Sequence, residues 1–188
     1  MATNANDGGS CRGIPWRVIG WGAVTILLML PLIAMQFTTE VNWTASDFIF
    51  AAAMFGTVGG LFELTVRASG NLPYRGGVAT ALGTSFLLVW INGAVGMIGD
   101  EGNPANLMFF VVILMAIAGG IAARFQAAGM ARAMIVAGAA QMLIAVILLV
   151  WRIGATEPPG FPAVVILVVL FGLPWFVSAW LFRQATRS

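Results

Sequence analysis

The sequence contains no lysine and no histidine, and it has a single cysteine among its 188 residues. Without histidine, the chain has no imidazole base and no histidine ligand for haem, zinc or iron. Without lysine, it has no Schiff-base nitrogen and no Walker-type lysine for phosphate. One cysteine cannot form an internal disulfide or a CxxC pair. We therefore expect a protein that is not an enzyme and that carries neither a metal nor another cofactor.

Charge is also scarce, because only 9% of the residues are charged whereas 60% are hydrophobic and the mean hydropathy is +0.96. An average soluble domain carries about 25% charged residues. This composition excludes an ordinary water-soluble domain and indicates a membrane protein. We expect no nucleic acid among its partners.

Six apolar stretches are long enough, or nearly so, to cross the ~30 Å hydrocarbon core as helices, which takes about 20 residues. They lie at 18–37, 48–66, 77–98, 107–123, 133–151 and 163–182. Backbone polar groups cannot remain unpaired in lipid, and the period-two alternation of a membrane β-barrel is absent. The sequence therefore predicts an all-α bundle of six transmembrane helices with short loops over residues 18–182. Polar tails are expected at 1–17 and 183–188.

The arginines predict the orientation of these helices. Eight of the nine fall on one side of the predicted membrane, and only Arg152 falls on the other. The eight are Arg12, Arg17, Arg67, Arg75, Arg124, Arg132, Arg183 and Arg187. By the positive-inside rule that side is cytoplasmic, so both termini are expected inside. Five of the seven acids lie in the predicted outer loops. The absence of lysine beside frequent Arg, Ala and Gly suggests a bacterial GC-rich genome, so we expect a multi-pass protein of the bacterial inner membrane.

Glu63 is the only carboxylate inside a predicted span, and an ionisable residue there is by default a functional hypothesis. Arg67 follows at i+4 on the same helix face, which favours a structural ion pair. The rival interpretation is a carboxylate that couples proton or cation movement. It would need Glu63 to share a polar intramembrane site with Trp90, Asn92 and Gln141.

A second candidate site consists of acids in the outer loops, namely Glu40, Asp47, Asp100 and Glu101. Carboxylate oxygens suit a hard cation such as Ca²⁺ or Mg²⁺. The spacing fits no EF-hand loop, and exclusion of arginine from the outer side also leaves negative loops. The cation site is therefore the weaker of the two interpretations.

Small residues predict where helices pack closely. Gly56-x-x-Gly59-Gly60 lies in the second span, and further glycines and alanines follow in the next three. Helices in lipid use such surfaces for van der Waals contact. The surfaces serve either the packing of the bundle itself or the docking of another membrane subunit.

Several short motifs lie within residues 41–151: Val41-Asn42-Trp43-Thr44, Asp47-Phe48, Glu63-Leu64, Tyr74-Arg75, Phe86-Leu87-Leu88-Val89-Trp90, Ala94-Val95-Gly96, Asn103-Pro104-Ala105-Asn106-Leu107-Met108 and Ala131-Arg132-Ala133. Through these motifs the segment resembles a group of small proteobacterial inner-membrane proteins of uncharacterised function. The resemblance implies a multi-pass membrane protein, but no activity and no functional residue.

The sequence thus predicts a non-enzymatic membrane component that acts as a homo-oligomer or as an accessory subunit of a membrane complex. Its cytoplasmic arginines are expected to contact the anionic headgroups of the bilayer. The alternative is a transporter of an ion or small solute, or the membrane-embedded substrate-binding subunit of one, using Glu63 and polar residues of the third and fifth spans.

Overall fold

The computed structural model describes residues 16–153 and 160–187, and in these ranges it contains six α-helices and no strand. The helices are α1 (Trp16–Phe37), α2 (Ala45–Ala68), α3 (Leu72–Ala94), α4 (Leu107–Ala122), α5 (Ala127–Trp151) and α6 (Phe161–Ala185). All six are long and apolar enough to cross a membrane. The prediction of an all-α chain with six such helices is confirmed, and the chain is a multi-pass membrane protein by this measure.

Some of the predictions fall on residues that the structure does not describe. The polar tail predicted at 1–17 lies outside the described residues as far as position 15, together with Arg12. Glu157 in the last outer loop and Ser188 lie outside them as well.

The third helix lies about five residues earlier in the chain than hydropathy predicts, at Leu72–Ala94 instead of 77–98. Its start is set by Asn71, whose side chain accepts a hydrogen bond from the backbone N–H of Tyr74 at 2.9 Å. Its end precedes Gly96, whose φ of +73° is left-handed. A Cβ at that position would collide with the carbonyl of Asp100, so only glycine allows the chain to turn there.

The fifth helix begins at Ala127, six residues before the predicted start at 133, so that Arg132 lies inside it. The extra residues are mostly alanine and glycine, and alanine has the highest helix propensity. A charged residue was a poor marker of this boundary, because an arginine in the first turns of a helix can extend its head beyond the apolar layer. The fourth helix is preceded by a 3₁₀ turn at Pro104–Asn106, which extends it at its start.

Contacts divide the chain into two compact units, Met1–Gly59 and Gly60–Ser188, with the boundary inside α2. In the first unit, α1 carries an internal proline, Pro31, and exposes large apolar side chains along its length. The side chain of Trp21 lies over Gly59 of α2, 3.2 Å from where a Cβ would be.

In the second unit, α5 packs against both α4 and α6, and α6 also packs against α3. Glycine makes these contacts close: a Cβ on Gly119 would lie 2.7 Å from that of Ala133, and one on Gly138 would lie 2.8 Å from the ring of Phe176. The core of the unit is formed by fully buried apolar residues such as Leu88, Phe109, Leu148, Val168 and Phe182.

Candidate functional site

Glu63 and Arg67 form the predicted ion pair on α2. Nη2 of Arg67 donates a hydrogen bond to Oε1 of Glu63 at 2.7 Å. The Glu63 side chain is 17% exposed, whereas that of Arg67 is 65% exposed. Because the arginine reaches outward and the carboxylate stays close to the helix, the pair places a neutralised acid near the C-terminal end of α2.

Gln141 lies near the middle of α5 and is fully buried. Its Nε2 donates a long hydrogen bond of 3.4 Å to the backbone carbonyl of Val168 on α6. Its Oε1 has no partner among the residues that the structure describes. An amide oxygen without a partner in an apolar interior is energetically costly.

Trp175 provides a buried donor near the middle of α6. The residue is completely buried, and its indole Nε1 has no acceptor within the described part of the chain. Pro174, immediately before it, removes one helical N–H and so leaves a carbonyl of the preceding turn without its usual donor. Among the described residues, a buried acceptor without a partner, Oε1 of Gln141, therefore lies near the centre of α5. A buried donor without a partner, Nε1 of Trp175, lies near the centre of α6.

Trp90 and Asn92 lie within the last turn or so of α3, which ends at Ala94. The Trp90 ring stacks on that of Phe86 with centroids 5.6 Å apart. Asn92 is almost fully buried and donates to the carbonyl of Leu88 at 2.7 Å, but its Oδ1 has no partner in residues 16–153 and 160–187. Since the observed helix ends four residues earlier than predicted, these side chains lie near a helix end instead of deep inside a span.

The five residues predicted as one intramembrane site are therefore not gathered together. Arg75 at the start of α3 bonds to the backbone at the end of α2, where Glu63 and Arg67 lie. Asn92 is 17 residues further along the same helix, which corresponds to about 25 Å at 1.5 Å per residue. A single polar cavity that uses both Glu63 and Asn92 is not supported by this arrangement.

Two of the acids predicted to lie in outer loops, Asp47 and Asp100, have local structural roles. Oδ2 of Asp47 accepts hydrogen bonds from the backbone N–H and the hydroxyl of Thr44, both at 2.7 Å, so the acid caps the start of α2. Oδ1 of Asp100 accepts from the N–H of Gly102 at 2.9 Å.

Among the residues that the structure describes, no group of three or more His, Cys, Asp or Glu side chains could hold a metal ion. Glu40, Asp47, Asp100 and Glu101 are thus not assembled into the ligand set that a cation would require.

Asn106 organises the loop between α3 and α4, although no sequence motif singles it out. Its Oδ1 accepts from the N–H groups of Met97 and Ile98 at 3.2 and 2.9 Å. Its Nδ2 donates to the carbonyls of Ile98 and Asp100 at 3.2 and 2.7 Å. One buried amide thus forms hydrogen bonds with four backbone groups. In the sequence, only the turn-rich composition of the loop pointed to this role.

Tyr74 and Arg75 fasten the opposite end of α3. The Tyr74 hydroxyl donates to the backbone carbonyl of Phe125 at 2.7 Å, and the ring meets that of Phe182 edge-on. The Arg75 guanidinium donates to the carbonyls of Ser69 and Val66 at 2.6 and 2.7 Å. A cation bound to these last carbonyls stabilises the C-terminus of α2.

No protein-family model, curated protein or solved structure matches the chain. The resemblance to small proteobacterial inner-membrane proteins stays a prediction. Any function proposed for the chain rests on its own geometry.

Proposed function

We propose that this chain is a non-enzymatic component of the bacterial inner membrane and that it acts as a homo-oligomer assembled through α2. The lack of histidine and lysine in the sequence, and of a gathered set of acidic side chains in the part of the chain that the structure describes, supports a role without chemistry. The distribution of burial supports assembly. In the most apolar window of each helix, 44% of the residues are buried in α5, whereas 6% are buried in α2 and none in α1.

The observation that carries the proposal is the open surface at Gly56 of α2. A Cβ built on Gly56 would meet no atom of residues 16–153 and 160–187 within 4 Å, and the same is true of Gly60 one turn later. Gly59, between them in sequence, is instead covered by the ring of Trp21. The chain thus uses one glycine of this motif in its own packing and leaves two open.

Glycines four residues apart on a lipid-exposed helix allow a second helix to approach closely, because the backbones meet without side chains between them. Lipid can cover an ordinary apolar face, so bare exposure of leucine or valine needs no protein partner. A groove lined by glycine gives lipid chains little van der Waals contact, but it gives a neighbouring helix close contact. A second copy of α2 carries the matching groove, and a symmetric contact between two such helices closes a dimer.

The test is the mass of the purified chain in a mild detergent and in lipid nanodiscs, measured by light scattering or native mass spectrometry. We expect a particle larger than the 19.8 kDa protomer for the wild type and a protomer for Gly56→Ile. Gly83→Ile is the matched control, since Gly83 of α3 also has nothing within 4 Å of an added Cβ. It should keep the mass of the wild type.

Both variants should retain the helical circular dichroism of the wild type, because an added Cβ at either position meets no atom of the described residues within 4 Å. A wild-type chain that is monomeric in native lipid would exclude the homo-oligomer. The chain could instead co-purify in constant ratio with a different membrane protein, and this association could be lost in Gly56→Ile. That result would replace the homo-oligomer by the accessory-subunit function.

A second candidate function is transport of a small polar solute or an ion, favoured by Gln141. A buried amide oxygen without a partner near the centre of a membrane-length helix marks the kind of position that polar substrates use. In liposomes carrying the purified chain, Gln141→Leu should abolish any solute flux, whereas Glu63→Gln should leave it unchanged because Glu63 is already paired with Arg67. Absence of flux in the wild type across a panel of ions and small solutes would exclude this candidate.

A further inference from the structure

Three segments of the second unit meet at Tyr74, at the start of α3. Its hydroxyl donates to the carbonyl of Phe125 in the turn between α4 and α5, at 2.7 Å. Its ring centroid lies 5.2 Å from that of Phe182 near the end of α6. The neighbouring Asn71 donates to the carbonyl of Ala185, which also belongs to the end of α6. These bonds fix the three segments relative to one another.

Each of the two distant segments carries an exposed arginine beside the residue that Tyr74 contacts. Arg124 directly precedes Phe125, and Arg183 directly follows Phe182. Arg124 and Phe125 both have left-handed backbones, with φ of 48° and 56°. Phe125 is 59% exposed, so an apolar ring lies next to the arginine at the surface.

Neither arginine has an acidic partner among the residues that the structure describes. Of the described acids in the second unit, Glu63 is paired with Arg67, and Asp100 and Glu101 follow the opposite end of α3. Arg75, the third arginine at this place, is bonded to the carbonyls that end α2. The end of the second unit around Tyr74 therefore carries positive charge that none of the unit's described acids neutralises.

We propose that Arg124 and Arg183 bind the phosphate of an anionic phospholipid, with Phe125 against its acyl chains. The guanidinium fork matches a phosphate in geometry and charge. Both arginines lie beside the ends of helices long enough to span the membrane, which is the depth of the headgroups. An exposed aromatic ring at that depth enters the interface. This site is independent of the α2 surface that the proposed oligomer uses.

The test is a titration of the full-length chain in detergent with phosphatidylglycerol or phosphatidylcholine, with bound lipid counted by native mass spectrometry. We expect preferential binding of phosphatidylglycerol. We also expect its affinity to fall at least about tenfold in Arg124→Gln and in Arg183→Gln, the loss typical of one hydrogen-bonded charge. Arg152→Gln removes the same charge after α5, at the other end of that helix, and should bind like the wild type.

Several outcomes would overturn the proposal. Equal weakening in Arg152→Gln would show that net charge alone attracts the lipid. Equal binding of both lipids would show that the site does not select an anionic phospholipid, because phosphatidylcholine carries the same phosphodiester with a compensating choline charge. Displacement of the lipid by inorganic phosphate at a few millimolar would identify a free phosphate as the ligand. Melting temperatures of the three variants, measured without lipid, establish that any loss of binding reflects the site and not unfolding.

Discussion

At the scale of single residues, the side chains that satisfy backbone groups define the ends of the helices. Asn71, Asp47 and Arg75 bind N–H or carbonyl groups at helix ends. Asn106 does the same for backbone groups of the loop between α3 and α4. In a protein surrounded by lipid such groups are costly when they remain free, so each of these short polar side chains stabilises the fold at one place.

Asn106 gives the clearest prediction at this scale. In Asn106→Asp the shape is kept, but the two hydrogen bonds donated by Nδ2 are lost and a carboxylate faces the carbonyls of Ile98 and Asp100. Met97 and Ile98 are almost completely buried, so water cannot replace these bonds. We expect a loss of about 2–3 kcal/mol in the free energy of unfolding, the usual cost of unsatisfied buried groups.

Unfolding in mixed micelles, followed by tryptophan fluorescence, would measure this loss. Asn42→Asp makes the same chemical change in an exposed loop residue and should cost well under 1 kcal/mol. Equal stability of the two variants would mean that the Asn106 bonds do not hold the loop.

The sequence was sufficient to predict the ion pair of Glu63 with Arg67, because both residues lie on one helix and i,i+4 spacing alone brings them together. It was insufficient for Asn106 and Tyr74, whose partners are backbone carbonyls and amides. Every residue offers such groups, so no residue type marks them in advance. The hypothetical cation site failed to assemble for a related reason: a carboxylate beside a helix start or a turn is used first by its own backbone.

At the scale of elements, hydropathy predicted all six helices but misplaced several of their ends. The apolar layer determines how long a segment must be, and it leaves the caps undetermined. In α3 the Asn71 cap and the left-handed Gly96 shift the whole helix by about a turn relative to its most apolar stretch. That shift places Trp90 and Asn92 near the end of α3, whereas Gln141 lies near the middle of α5.

The glycines of α2 also show what the sequence alone leaves undetermined. Composition identifies Gly56, Gly59 and Gly60 as one motif, but it cannot tell which of them is covered. The structure separates them, because Trp21 lies over Gly59 and the other two remain open. In α4 and α5 neighbouring residues cover the glycines. Gly119, for example, can approach Ala133 closely because it has no Cβ. Only three-dimensional contacts distinguish glycines that pack within a protomer from glycines available to another one.

At the scale of the whole molecule, the distribution of charge predicts the orientation. Arginines surround the Tyr74 end of the second unit, and Asp100 and Glu101 follow the other end of α3. If the rule for positive charge applies, the turn between α4 and α5 faces the cytoplasm and the loop between α3 and α4 faces outward.

Single cysteines test this orientation after Cys11 is replaced by serine. A cysteine introduced by Glu101→Cys should react in intact cells with a thiol reagent that cannot cross the membrane. One introduced by Ala128→Cys, in the first turn of α5, should react only after the cells are opened. The reverse pattern would invert the predicted topology, and reaction of both in intact cells would show that α4, the helix between them, does not span.

The unequal burial of the helices has a consequence for how such a chain is built and changed. Helices α1 and α2 are each long and apolar enough to cross the membrane, and the loss of two spans together would leave the direction of every later helix unchanged. Among the described residues, the buried apolar cluster contains no residue of α1 or α2. A new partner on the exposed apolar surfaces of these two helices would therefore disturb neither that cluster nor the direction of the four helices that follow.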